Sequence, residues 1–349
     1  MKIAFVDHLF HKKTKSSIFF VDIISQGNDI VFFYSDDNIK DNLSHIFSDI
    51  NSGNFDCVIF WQIMPHYKLF PSLIADNIIL IPMYDACHNW KYLRWRKYQQ
   101  FRFISFSKIL HNKLVILGID SFYIPYMPSL PETFDSKNIC KSNQSVFVWN
   151  RKGSIQIDKV FRFAHKNRWN RIVFHEAYDS VTANTKEEHI IYKELQVEKT
   201  TWFKDQEEYL KTITSCDVYI SPREYEGIGL SFLEAMSRGL CVVAKNNPTM
   251  NEYIQDGFNG VLFNSYKKLS NRKITNLIQI KENAFVTCNT IREEYNRTIP
   301  LLLQFIYSYT YEKKNNDRYN FKFLIVDITL YIKQYYKALL RRVRIIGFK

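Results

Sequence analysis

A chain of 349 residues that is 46% hydrophobic and 16% aromatic is not limited by apolar surface and is too long for one ordinary core, so two domains are expected. Six cysteines (57, 87, 140, 216, 241 and 288) without any Cys-x-x-Cys spacing exclude a zinc knuckle and a disulfide scaffold, and read as reduced core residues of a cytoplasmic protein. The net charge of +12 invites a nucleic-acid partner, but residues 313–349 hold ten Lys or Arg against two Asp, or 10 − 2 = +8 of that excess, so the charge belongs to one segment and no nucleic acid is expected.

The chain opens with KIAFVD, where Asp7 and His8 end a short apolar run. The reading is a first strand rather than a signal peptide. DIVFFYS, CVIFWQ, NIILIPMYD, RFISFS and SFYIPYM follow as further candidate strands, separated by helical or mixed stretches. That alternation predicts a doubly wound parallel sheet. Residues 128–144, PSLPETFDSKNICKSNQ, combine prolines and polar residues without periodicity and read as an interdomain linker. A second α/β series then runs through SVFVWN, RIVFHE, DVYIS, CVVA and GVLF, closed by a helical region over Glu282–Tyr311 that is expected to reach back toward the first domain. The predicted divisions are 1–135, 145–312 and a tail over 313–349.

In the tail, Leu324, Ile328, Tyr331, Tyr335, Leu339 and Ile346 share one face of a helical wheel, while Lys333, Lys337, Arg341 and Arg344 fall on the other. Arg342 is the misfit and would have to snorkel. A basic amphipathic helix of this kind suits an anionic membrane surface, placing the protein at the inner face of the cell membrane. A helix packed against the body with its basic side in water is the other reading. No stretch has the length and apolarity of a membrane span.

The segment from Ser221 to Phe263, SPREYEGIGLSFLEAMSRGLCVVAKNNPTMNEYIQDGFNGVLF, carries the chemistry. A buried strand ends near Pro222, the chain turns through Glu226-Gly227-Ile228-Gly229, and a helix runs over Leu230–Arg238 to a stop at Gly239. Glycines let backbone approach a ligand, and the first amides of a helix are donors with partial positive charge, so the turn can hold a diphosphate. Glu234, one turn into the helix, is placed to accept hydrogen bonds from the vicinal hydroxyls of a ribose. Glu226, on the loop, lies nearer the sugar to be transferred.

This ordered string resembles the donor-site signature of the retaining GT-B glycosyltransferases of family four, in which E-G-(F/I)-G-L is followed by E-A-M and later by E-x-(I/V)-x-(D/N)-G-x-N-G-x-L-(V/F). The resemblance implies two Rossmann-like domains facing a cleft, a nucleotide-sugar (UDP- or GDP-sugar) donor held mainly by the second, and a glycan or lipid-linked glycan acceptor, as in cell-surface polysaccharide synthesis. It also implies roles for residues elsewhere. Arg151 and Lys152, directly after the strand VFV, match the cations that neutralise the diphosphate; here Asn150 replaces the usual Gly and the two cations are adjacent, so either can face the phosphate, with Lys159 as a substitute. Trp202 and Phe203 fall where the base is read, or else belong to the core. Glu252 matches the glutamate after the next strand, although Asn247-Pro248-Thr249-Met250 replaces the usual Gly-Gly. In the first domain, His11-Lys12-Lys13-Thr14-Lys15-Ser16-Ser17 lacks the family's glycines, leaving Ser16 and Ser17 to cap the next helix. Asp85 and His88, beyond the fourth strand, are the acceptor-side candidates, since ligands in doubly wound sheets bind past the carboxyl ends of strands. No two aspartates stand two apart, so the Asp-x-Asp of the other main glycosyltransferase fold is missing and a metal-independent reaction without cofactor is expected. An epimerase, a phosphorylase and a non-catalytic glycan- or membrane-binding protein on the same fold are the rival readings.

Overall fold

The computed structural model describes residues 1–36, 39–131, 145–151, 155–177, 196–221 and 223–308. Lys152, most of the predicted linker and the whole basic tail therefore lie outside the described residues. The first sheet consists of β1 (Lys2–His8), β2 (Asp29–Ser35), β3 (Cys57–Trp61), β4 (Ile78–Ile81), β5 (Arg102–Ser105) and β6 (Ser121–Tyr123), in the spatial order β2-β1-β3-β4-β5-β6. The second consists of β7 (Ser145–Trp149), β8 (Arg171–His175), β9 (Gln196–Thr200), β10 (Val218–Ile220), β11 (Cys241–Lys245) and β12 (Val261–Phe263), in the order β12-β11-β10-β7-β8-β9. Every pairing is parallel.

The central strands β3, β4 and β10 are buried at every position, which is why they are written as continuous Val, Ile and Phe rather than as alternating patterns. In the first domain the connecting helices are α1 (His11–Thr14), α2 (Ile18–Ile24), α3 (Ile39–Ser52), α4 (Tyr84–Cys87), α5 (Tyr92–Trp95) and α6 (Lys108–Ile116). In the second they are α7 (Ile157–Lys166), α8 (Gln206–Thr214), α9 (Leu230–Ser237), α10 (Met250–Tyr253), α11 (Tyr266–Leu269) and the 31-residue α12 (Leu277–Tyr307). Each strand expected from the sequence is present. The strand missed is β9, whose exposed edge position lets QVEKT stay polar, so no apolar run announces it. Cys57, Cys87, Cys216, Cys241 and Cys288 are free and buried; Cys140 lies outside the described residues.

Helix α12 does cross back. Arg292 Nη1 donates to the carbonyl of Met127 at 2.6 Å, Asn77 Nδ2 donates to the carbonyl of Ile306 at 3.0 Å, and Arg102 donates to the carbonyl of Phe305. Asn28 Nδ2 meets Tyr307 Oη at 2.7 Å. One apolar core runs through both units, from Phe5, Trp61 and Ile104 to Phe147, Leu233 and Leu302. Two Rossmann-like domains joined in this way form the GT-B arrangement. Among the described residues no helix is long and apolar enough to cross a membrane.

Candidate active site

Strand β10 is flanked by β11 and β7, and its carboxyl end opens onto the turn that enters α9. Gly229 caps that helix with φ +85°, in the left-handed region, and a Cβ there would fall 1.9 Å from the Phe232 ring. Only glycine meets both demands. The turn is held in shape by the loop after β11: Thr249 Oγ1 donates to the carbonyls of Glu226 and Gly227 at 2.8 and 3.0 Å, the Glu226 amide donates to the carbonyl of Pro248 at 3.2 Å, and Asn247 Nδ2 donates to the carbonyl of Glu224 at 3.0 Å. The residues that stand in place of the expected Gly-Gly thus shape the donor turn through side-chain and backbone hydrogen bonds. Ser221, just past the end of β10, is buried, and its hydroxyl has no hydrogen-bond partner among the described residues.

Glu234 projects from α9 half-buried, accepting a hydrogen bond from Gln206 Nε2 at 3.0 Å. Burial raises its carboxyl above the ordinary range, opposed by the Arg238 charge and the Gln206 bond. Its charge also helps to raise the pKa of Tyr126, a first-domain side chain, after the larger effect of burial. The same charge acts on Tyr209 and Tyr219 of the second domain, so Glu234 lies between side chains of both domains.

The opposite lip of that gap follows β4. Gly227 is not in the left-handed region; what requires glycine there is Met83 of the first domain, whose Cβ and Sδ would lie 2.8 and 2.9 Å from an added Cβ. The close approach foreseen for a ligand is, in this structure, an approach between domains. Asp85 Oδ2 accepts from Arg223 Nη1 at 2.5 Å, and Arg223 Nε stands 3.9 Å from Glu226 Oε2. The His88 ring lies flat on Tyr225, with centroids 4.2 Å apart at 17°, and Tyr84 meets Tyr225 edge-on at 6.1 Å. Asp85 and His88 are thus brought against the donor turn across some 140 residues of sequence. Arg223 and Tyr225, which make those contacts, were not singled out; both sit inside the signature, but nothing local marks a residue whose partner lies in another domain.

Other candidates are placed differently. Glu252, expected at the donor, is engaged with the first domain: its Oε1 accepts from Ser107 Oγ at 2.7 Å and from the Ile109 amide at 3.1 Å, and its Oε2 accepts from the Lys108 amide at 2.6 Å. The carboxylate caps first-domain helix α6, where orphan amides and the helix dipole favour a negative charge, and so ties the domains together instead of facing the donor turn. Trp202 is 45% exposed, with Lys13 Nζ of the first domain 5.4 Å above its ring. Phe203 stacks on His175 at 4.6 Å and 12°, as a core contact, and burial pushes the His175 pKa down to about 4. The guanidinium of Arg151, at the end of β7, lies 5.5 Å over Trp149. Lys159 pairs with its neighbour Asp158 at 2.7 Å.

The loop after β1 has its own arrangement. Ser17 starts α2 but makes no side-chain cap; its hydroxyl donates instead to buried Asp7 at 2.7 Å. Asp7 also accepts from the His8 amide at 2.7 Å and pairs with His11 Nδ1. Ser16 Oγ accepts from Thr14 Oγ1 at 3.5 Å. In place of a glycine cradle, this loop is organised around one carboxylate.

Residues 172–291 match the family described as Glycosyl transferases group 1. No curated protein matches the chain. Among solved structures, the apo lipopolysaccharide outer core galactosyltransferase WaaB is 13% identical with a TM-score of 0.58, covering 88% of this chain and 99% of that one. Anabaena HepE in complex with UDP and glucose is 12% identical, TM-score 0.57, covering 87% and 100%. A sucrose-phosphate synthase from Thermosynechococcus elongatus is 11% identical, TM-score 0.62, covering 88% and 98%. At such identities the likeness is one of fold. With that fold and the family match over its second domain, the chain is a glycosyltransferase carrying a glycosyl transferases group 1 domain.

Proposed function

We propose that the protein transfers a sugar, with retention of anomeric configuration, from a UDP- or GDP-sugar to a glycan or lipid-linked glycan in cell-surface polysaccharide synthesis. The observation that carries this reading is Glu234, half-buried on the helix that Gly229 opens and close enough to Tyr126 of the first domain for its charge to act there. The diphosphate rests at the amino end of α9, whose first amides have no partner within the helix. Arg151 and Lys152 neutralise it, since departure of a nucleoside diphosphate builds negative charge that preorganised cations and amides stabilise. Glu234 grips the ribose, Trp202 offers its exposed face to the base, and Glu226 meets the transferred sugar. Asp85 and His88 stand on the side from which the acceptor enters. Attack occurs on the face the leaving group departs, so no enzymic nucleophile is assigned. The tail, residues 317–349, holds the protein on anionic lipid at the inner face of the membrane.

HepE, one of the structures of similar fold, was solved with UDP and glucose, which favours a uridine donor as the first to try. A thermal-shift panel of UDP, GDP, dTDP and CMP tests the donor reading, because a ligand that binds only the folded state raises the melting temperature. One of UDP and GDP raises it; no shift with any of the four contradicts the reading. Turnover survives excess chelator, because protein cations and helix amides stabilise the leaving group; complete loss would show that a metal is needed.

A further inference from the structure

Arg223 lies three residues past the end of β10 and three before Glu226, and its guanidinium forms ion pairs with a carboxylate of each domain. Asp85 Oδ2 accepts from its Nη1 at 2.5 Å, and Glu226 Oε2 stands 3.9 Å from its Nε. The three side chains are 28%, 23% and 9% exposed. An ion pair in open water contributes little, but a carboxylate as withdrawn as Glu226 is costly without compensation. The bond donated by Thr249 and the one accepted by the Pro248 carbonyl fix the backbone at Glu226, while Arg223 acts on its side chain. Around the three groups stand Tyr84, His88 and Tyr225, the last two stacked on each other across the gap.

We propose that Arg223 is a positioning residue that clamps Glu226, on the donor side, to Asp85, on the acceptor side, so that both carboxylates face the reacting sugars in one fixed arrangement. With two carboxylates against it, Arg223 brings no surplus positive charge to a diphosphate, which separates its role from that of Arg151 and Lys152. The inference rests on the nucleotide-sugar reading of this site and adds to it a residue that acts through its neighbours.

The experiment uses the full chain with Arg223→Ala, Arg223→Lys, Asp85→Asn and the double variant Arg223→Ala/Asp85→Asn. UDP and GDP binding is measured by calorimetry, and nucleotide release is measured from UDP-glucose, UDP-galactose, UDP-N-acetylglucosamine and GDP-mannose. Arg223→Ala lowers kcat by about tenfold or more while the nucleotide Kd stays within about threefold. Asp85→Asn does the same, the double variant loses no more than either single one, and Arg223→Lys recovers part of the rate. A Kd weakened tenfold by Arg223→Ala would make the residue a diphosphate ligand and overturn the proposal, as would an unchanged kcat or losses that multiply in the double variant. If the unaltered protein binds neither nucleotide and releases none, the donor reading itself fails. The clamp is then judged on melting temperatures, where non-additive losses of the two single variants support it and additive losses overturn it.

Discussion

The two lips of the interdomain gap are built in different ways. On the second domain, the donor turn is shaped by backbone: a left-handed Gly229, carbonyls pinned by Thr249 and a helix that begins at once. On the first domain, the facing edge is assembled from side chains. Met83, Asp85 and His88 reach Gly227, Arg223 and Tyr225, and the first amides of α6, beside its Ser107 cap, are bound by Glu252. A lip made of backbone geometry writes itself into consecutive residues, whereas a lip made of long-range contacts leaves no local record.

The sharpest way to break that contrast is Gly229→Ala. The left-handed conformation costs a residue with a Cβ about 1–2 kcal/mol, and overpacking against Phe232 about 1–3 more, so a loss near 4 kcal/mol is expected in denaturant unfolding. A loss under about 1 kcal/mol would show that the turn is not held by its backbone.

Next in size is the second-domain core around the end of β8. His175 is buried, and its pKa is depressed to about 4 from an ordinary 6.5. Between those values the unfolded chain binds more protons, so stability is present above pH 6.5 and is lost as pH falls toward 4, by about 3 kcal/mol from this group. His175→Phe, which keeps a ring against Phe203, should flatten that part of the stability profile; an unchanged slope would place the titrating group elsewhere.

Glu252→Ala tests the side-chain-built lip. Freeing the Lys108 and Ile109 amides, with the Ser107 cap retained, should cost about 1–2 kcal/mol and leave nucleotide affinity within about threefold, because the carboxylate is engaged with Ser107, Lys108 and Ile109. A tenfold loss of nucleotide binding would return Glu252 to the donor site.

The same contrast explains what was legible in the residues alone. The two parallel sheets followed from runs such as CVIFW and CVVAK, which match strands buried at almost every position, and α9 from a glycine at each end of LSFLEAMS. Glu226, Glu234, Gly227 and Gly229 were picked out because they sit in one continuous string. Polar β9 escaped because an edge strand need not be apolar. Glu252 falls at the donor by its place in the string, yet its carboxylate is taken up by the Lys108 and Ile109 amides, which the Ser107 cap of α6 leaves open. Gly227 was recognised as a point of close approach, with the approaching atoms belonging to Met83 rather than to a ligand. Ser17 was expected to cap α2, but a buried carboxylate at Asp7 competes for its hydroxyl and takes it.

The central claim is that Glu234 grips the ribose of a nucleotide whose diphosphate rests where Gly229 opens α9. Glu234→Gln tests it directly, by calorimetric titration of UDP and GDP into the variant and the unaltered protein. Because burial raises the Glu234 carboxyl, its ionised form disfavours folding as pH rises past the ordinary carboxylate range, so the variant should be folded and at least as stable at neutral pH. Nucleotide affinity should fall about tenfold or more, as expected when a charged hydrogen-bond acceptor is lost. A folded variant that binds the nucleotide as tightly as the unaltered protein would contradict the account.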